Sequence, residues 1–118
     1  MIQSSITSLV GVTLSEVTHD SGSMHFISND GRRWTASHVQ DCCESVRIEE
    51  IVGDIGDLLG SPIVMAEEST NTDNPPSSAD EFLWTFYKFR TAKGDVTVRW
   101  LGESNGYYGV SVDFWEGE

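Results

Sequence analysis

Positive charge is what this chain has least of. Its 118 residues carry seven Lys and Arg against nineteen Asp and Glu, a net charge of −12. Affinity for duplex nucleic acid depends on neutralising phosphates, so a field of this sign disfavours direct binding to DNA or RNA. It leaves open imitation of DNA or contact with a basic partner. Long hydrophobic runs are also missing: nothing approaches the roughly 20 apolar residues of a membrane-spanning helix. The segment Met1 to Ser8 has neither the basic start nor the apolar core of an export signal, so the chain is expected to remain in the cytoplasm. Cysteine is reduced to one adjacent pair, Cys42 and Cys43, which cannot form the framework of a secreted disulfide-rich domain and fits a reducing compartment. Motifs for chemistry are lacking too. There is no phosphate-binding glycine loop, no HExxH and no CxxC, and nineteen scattered carboxylates single out no catalytic pair. No enzyme activity and no cofactor is expected.

What is present suffices for one compact domain over residues 1–118. Hydrophobic residues make up 38% and aromatics 10%, enough to build a core rather than a disordered acidic tail. Leu9 to Val17 alternates as a strand, with Val10, Val12 and Leu14 on one face. Met24 to Ser28 and Arg33 to Val39 flank Asn29-Asp30-Gly31, a hairpin signal, because these residues tolerate the positive φ of a tight turn. From Val46 through Ile48, Ile51, Val52, Ile55, Leu58 and Leu59 the apolar spacing drifts from two towards three and four. That predicts a short strand giving way to a helical turn or short helix, ended by Gly60-Ser61-Pro62. Ile63 to Glu67 reads as a strand, and residues 69–80 as a polar, mobile loop. Phe82 to Thr91 and Asp95 to Leu101 are strands joined at Ala92-Lys93-Gly94, followed by Tyr107 to Trp115. The expected fold is α+β: mainly antiparallel β-sheet, about six strands, one short helix. Its expected core is Trp84, Phe86, Val96, Val98, Trp100, Val110 and Val112.

Two places invite a functional reading. At Cys42-Cys43, zinc would need His38 and either His19 or His25 as further ligands, yet neighbouring strand residues point to opposite faces. A catalytic thiol would need a lowered pKa, and Asp41 and Glu44 act the other way. Small buried thiols filling a tight place are therefore expected. His38 sits where a strand meets this acidic motif, within reach of a carboxylate, although a merely packed or exposed histidine is the commoner outcome.

The second place is cationic. Charge is segregated along the chain: residues 41–81 hold eleven acids against Arg47 alone, whereas Lys88, Arg90, Lys93 and Arg99 nearly balance the acids of residues 82–118. Lys88 and Arg90 share a strand face, and Arg99 lies on the partner strand. Tyr87, Phe89, Trp100, Tyr107 and Tyr108 could stack a base beside them, since arginine for phosphate and an aromatic ring for a purine is the usual way to hold a nucleotide. The plainer role for the same cations is cross-strand pairing with Asp95, Glu103 or Asp113.

The runs Asp41-Cys42-Cys43-Glu44-Ser45-Val46, Ile48-Glu49-Glu50-Ile51-Val52-Gly53-Asp54, Gly60-Ser61-Pro62-Ile63, Trp84-Thr85-Phe86-Tyr87-Lys88 and Gly102-Glu103-Ser104-Asn105-Gly106-Tyr107-Tyr108 resemble a family of small, mostly uncharacterised proteins encoded by bacteriophages. The likeness covers about residues 9–115. It implies a setting rather than a reaction: an accessory protein in the cytoplasm of the infected bacterial host, where proteins of this size often counter immunity. The expected function is a sponge that binds a cyclic nucleotide or ADP-ribose-type signal without cleaving it, using Lys88, Arg90, Arg99, Tyr87, Trp100, Tyr107 and Tyr108, in a homo-oligomer. The alternative is an acidic DNA mimic or direct protein inhibitor of a host defence factor.

Overall fold

A computed structural model describes all residues except 41, 76–80, 107–108 and 118. The described residues form nine strands: β1 (Ile2–Gln3), β2 (Leu14–His19), β3 (Ser23–Ser28), β4 (Arg33–Ser37), β5 (Ser45–Val52), β6 (Met65–Asn71), β7 (Glu81–Thr91), β8 (Gly94–Ser104) and β9 (Asp113–Glu116). They form two sheets, β1-β9-β4-β3-β2 and β5-β8-β7-β6, antiparallel in every strand pair. The only helical elements among the described residues are single 3₁₀ turns at Ile6–Leu9 and Ile55–Leu58. The expected α+β fold is thus corrected to a β-rich one, with more strands than six and, among the described residues, no α-helix.

The sheets pack face to face through aromatic rings. Phe26 of β3 lies 5.8 Å from Phe89 of β7, and Phe114 of β9 lies 6.3 Å from Tyr87 of β7, centroid to centroid. Met24, Trp34, Val96, Val98 and Trp100 complete the buried layer. Tilted and edge-on ring pairs at these separations add a little beyond the area they bury.

The strand expected to give way to a helical turn or short helix after Val46 is β5 followed by the single 3₁₀ turn Ile55–Leu58, and the drift in apolar spacing within β5 has a local reason. A β-bulge between Ile48 and Glu50 inserts one extra residue into β5, so the inward parity shifts by one. Val46 pairs with Gly102, Ile48 with Trp100 and Ile51 with Val98, and all three turn to the core. A spacing of two then three is the mark of that bulge, not of a helix. The same happens in β2, where a bulge after Leu14 leaves Leu14 and Val17 facing inward; the preceding residues Ile6–Leu9 are a 3₁₀ turn rather than strand. Asp54 caps the second 3₁₀ turn, its Oδ1 accepting from the Gly56 N–H at 2.9 Å, a standard way to satisfy an unpaired amide.

Other expectations fall on both sides. The β3–β4 hairpin forms where foreseen, with Gly31 at φ +90°. Val96, Val98, Trp100, Val110 and Val112 are buried. Trp84 and Phe86 are not core: they are partly exposed and lie on the outer face of their sheet. The polar stretch from residue 69 begins inside β6, with Ser69, Thr70 and Asn71 paired to β7; residues 76–80 lie outside the described set. Among the described residues of the anticipated strand Tyr107–Trp115, only the end, within Asp113–Glu116, is strand.

Two glycines are required by close approach. A Cβ on Gly102 would run into the Val110 carbonyl, and one on Gly53 into the Asp95 carbonyl, with Gly53 also at φ +104°. Gly109 has nothing near it. Gly102→Ala and Gly53→Ala are each expected to lower unfolding free energy by about 1–3 kcal/mol, with Gly109→Ala within about 0.5 kcal/mol of wild type, as read by urea denaturation.

Candidate functional site

Alternation along β7 and β8 sorts the residues of interest between two faces. Thr85, Tyr87 and Phe89 point inward, and Phe82, Trp84, Phe86, Lys88 and Arg90 outward. On β8, Val96, Val98 and Trp100 point inward and Arg99 outward, opposite Phe86. Lys88, Arg90 and Arg99 therefore do share one face, as expected. Tyr87 and Trp100 do not join them. Both are fully buried between the sheets, and burial drives the Tyr87 phenol pKa far up, with the charges of Glu68 and Asp113 adding to the effect. Tyr107 and Tyr108 lie outside the described residues. The rings on the cationic face are instead Trp84 and Phe86, with the Arg99 guanidinium 4.7 Å from the Trp84 centroid, a cation–π distance. Sequence alternation missed them because both faces of this half of β7 are apolar.

The guanidinium groups are engaged by carboxylates. Arg90 Nε lies 2.8 Å from Asp95 Oδ1, and Arg99 Nη2 lies 3.5 Å from Glu50 Oε1. Arg47, on the same face, pairs with Glu49 and Glu103 at 2.8 Å each. The Lys93 ammonium donates to the Leu59 carbonyl at 2.7 Å. Lys88 stands opposite Glu67 and makes no hydrogen bond or ion pair among the described residues. A surface depression of about 460 Å³ lies on the other sheet, against Thr18, His25, Arg33 and Thr35, away from this face.

The Cys42-Cys43 motif has a different construction from the one expected. The two cysteines are exposed and joined to each other by a disulfide, so they are not buried thiols. The buried residue is Glu44, whose side chain has no solvent exposure. His38 holds it at 2.7 Å through Nε2, while His38 Nδ1 sits 2.8 Å from the Ser111 carbonyl. The Cys42 N–H donates to Glu44 Oε1 at 2.9 Å, and the Gln40 amide donates to the Cys42 and Glu44 carbonyls at 3.0 and 2.6 Å. One buried carboxylate thus ties the end of β4, the start of β5 and the segment before β9 together. Nothing in the sequence marked Glu44 out from its acidic neighbours except its place directly before a strand. Among the described residues no group of three or more His, Cys, Asp or Glu side chains is placed to hold a metal ion, and no helix is long and apolar enough to cross a membrane.

The profile of a family described as Domain of unknown function (DUF7448) matches residues 7–114. The chain belongs to that family. No curated protein and no solved structure matches it. The match encloses both the DUF7448 cationic face and the Glu44 knot, so each lies inside the family's domain.

His38 gives a pH test. Burial works against its charge, but the hydrogen bond to Glu44, the Ser111 carbonyl and the charges of Glu44 and Asp113 outweigh it, raising the pKa above the ordinary 6.5. A raised folded-state pKa contributes stability that is full below 6.5 and is lost as pH rises through the folded value. The urea midpoint is therefore expected to fall across that window. His38→Gln should abolish the slope there and cost about 3 kcal/mol, because the buried Glu44 carboxylate loses the charged group that faces it.

Proposed function

We propose that this chain is a non-catalytic, phage-encoded binding protein that works in the host cytoplasm by occupying a basic surface of a bacterial defence protein. The observation that carries this reading is how the charge is spent. Arg32, Arg47, Arg90 and Arg99 are each paired with a carboxylate of the same chain, and Lys93 with a carbonyl. Glu16, Asp54, Asp57, Glu67, Glu68, Asp73 and Glu81 make no ion pair among the described residues. Lys88 apart, these cations are consumed internally while the carboxylates face outward, and a partner meets a mainly negative field. Such a field steers encounter with a basic surface and rejects acidic ones.

Edge strand β6 is the best-formed part of that surface. Glu67 and Glu68 are exposed on it, with Asp73 just beyond its end, and among the described residues no strand pairs with its outer backbone edge. The Glu68 carboxyl has a raised pKa, from desolvation and then from the nearby Asp113 charge, so it gains from a cation brought alongside.

The sponge reading keeps one specific support. Lys88, Arg99, Trp84 and Phe86 share a face, and Arg99 already stacks on Trp84, the elements of a nucleotide platform. Against it, Arg90 and Arg99 would have to give up Asp95 and Glu50, and Tyr87 and Trp100 would have to leave the core.

A single comparison separates the two. Protein retained from lysate of a defended host is expected to be basic and to elute as salt is raised. A Glu67→Lys/Glu68→Lys variant should lose it at least tenfold, while Lys88→Glu/Arg99→Glu keeps it. In parallel, thermal shift with cyclic dinucleotides, cyclic trinucleotides and cyclic ADP-ribose isomers should show no change. A ligand-dependent shift that Arg99→Glu abolishes, with intact ligand recovered on heating, would replace the protein-binding reading by the sponge.

A further inference from the structure

The exposed Cys42–Cys43 bond does not act as a staple. A disulfide stabilises a fold by restricting the unfolded chain, and the effect grows with the loop it closes. These cysteines are neighbours in sequence, so there is no loop to close. The two sheets already bury a continuous aromatic core without it. The loop is also anchored by other means. Cys42 N–H is bound to buried Glu44, Gln40 clasps the Cys42 and Glu44 carbonyls, and His38 fixes Glu44 from the far side. Every one of these contacts uses backbone or a side chain other than the sulfurs. Opening the bond would leave them all in place.

We propose that Cys42 and Cys43 form a thiol–disulfide exchange site, opened and closed in the folded protein by small thiols or by a protein dithiol. An incoming thiolate attacks one cysteine Sγ, forming a mixed disulfide and releasing the other as a thiolate, which takes a proton from water. A second thiolate attacks the incoming sulfur, frees the remaining cysteine thiolate, and leaves with the first as the oxidised partner. Two electrons pass from the thiol reductant to the pair, and the second cysteine is protonated in turn. Oxidised thiol reagents drive the reverse. Exchange goes through the thiolate of the reagent, and a chain of net charge −12 concentrates cations and repels anions around the site. Its preferred partners are thiols whose remaining groups are cationic, ahead of anionic ones. The assignment is independent of what the acidic surface binds.

The test uses the full chain in its oxidised form. Incubation with dithiothreitol, trapping with iodoacetamide and intact mass measurement should add two alkyl groups without denaturant, while the thermal midpoint moves by less than about 2 °C. Cysteamine should open the bond several-fold faster than mercaptoethanesulfonate at low salt, with the gap closing at about 0.5 M salt. Transfer to a glutathione redox buffer should restore the bond. A Cys42→Ser/Cys43→Ser variant should melt as the wild type does and take no label. Labelling that requires denaturant, loss of the melting transition on reduction, thiols that never reoxidise, or equal rates for the two reagents would each overturn the assignment.

Discussion

Ring packing between the sheets sets everything else about this molecule. Once Phe26 and Phe114 meet Phe89 and Tyr87, the inward face of β7 is fixed, and antiparallel pairing carries that choice to β8 and β5. A one-residue slip in β7 would exchange the faces wholesale, placing Trp84 and Phe86 inside and Tyr87 outside. The opposite sheet excludes that alternative, since Phe26 and Phe114 pack on Phe89 and Tyr87 and the slip would also turn Lys88 and Arg90 into the apolar layer. The same choice puts Lys88, Arg90 and Arg99 on the outer face, where cross-strand carboxylates reach two of them. Function has to be read from a surface that the core has already assigned.

That surface is unequal in its charges. A protein with far more acids than bases has few cations to spare, and in its sheets Arg47, Arg90 and Arg99 each meet a carboxylate of the same chain before they meet a ligand. Exposed pairs such as Arg90–Asp95 contribute little to stability, of the order of 0–1 kcal/mol. Their consequence is electrostatic: they erase the positive patches and leave the negative ones standing. A nucleotide site in such a chain needs cations shielded from their own neighbours by depth, and the cationic face of β7 and β8 is a sheet surface with its pairing partners alongside.

Legibility in the sequence followed the strength of the local signal. The hairpins at Asn29-Asp30-Gly31 and Ala92-Lys93 carry their own turn chemistry, and Val96, Val98 and Trp100 alternate cleanly, so both were readable. The bulge in β5 was not, because a one-residue insertion and the start of a helix leave the same mark in apolar spacing. Trp84 and Phe86 against Tyr87 and Phe89 was undecidable by pattern, each set being large and aromatic; only the opposite sheet distinguishes them. The convergence of Lys88, Arg90 and Arg99 on one face followed from strand geometry. Their capture by Asp95 and Glu50 depended on register across strands, which no single segment encodes.

The Cys-Cys motif was conspicuous in the sequence, but burial was expected of its thiols and falls instead on Glu44. Burying Glu44 is costly on its own, and the fold offsets the cost by converging His38, the Cys42 amide and further donors on one carboxylate. Replacing the pair with apolar side chains would serve stability as well or better, so stability alone does not account for it. What the ion pair does supply is a fixed loop path: Glu44 is simultaneously the first residue before β5 and the acceptor for the loop that precedes it. A fixed path presents residues 42 and 43 to solvent without needing them for support. The charge is buried so that the sulfurs need not be, and chemistry at the sulfurs is thereby separated from the integrity of the sandwich.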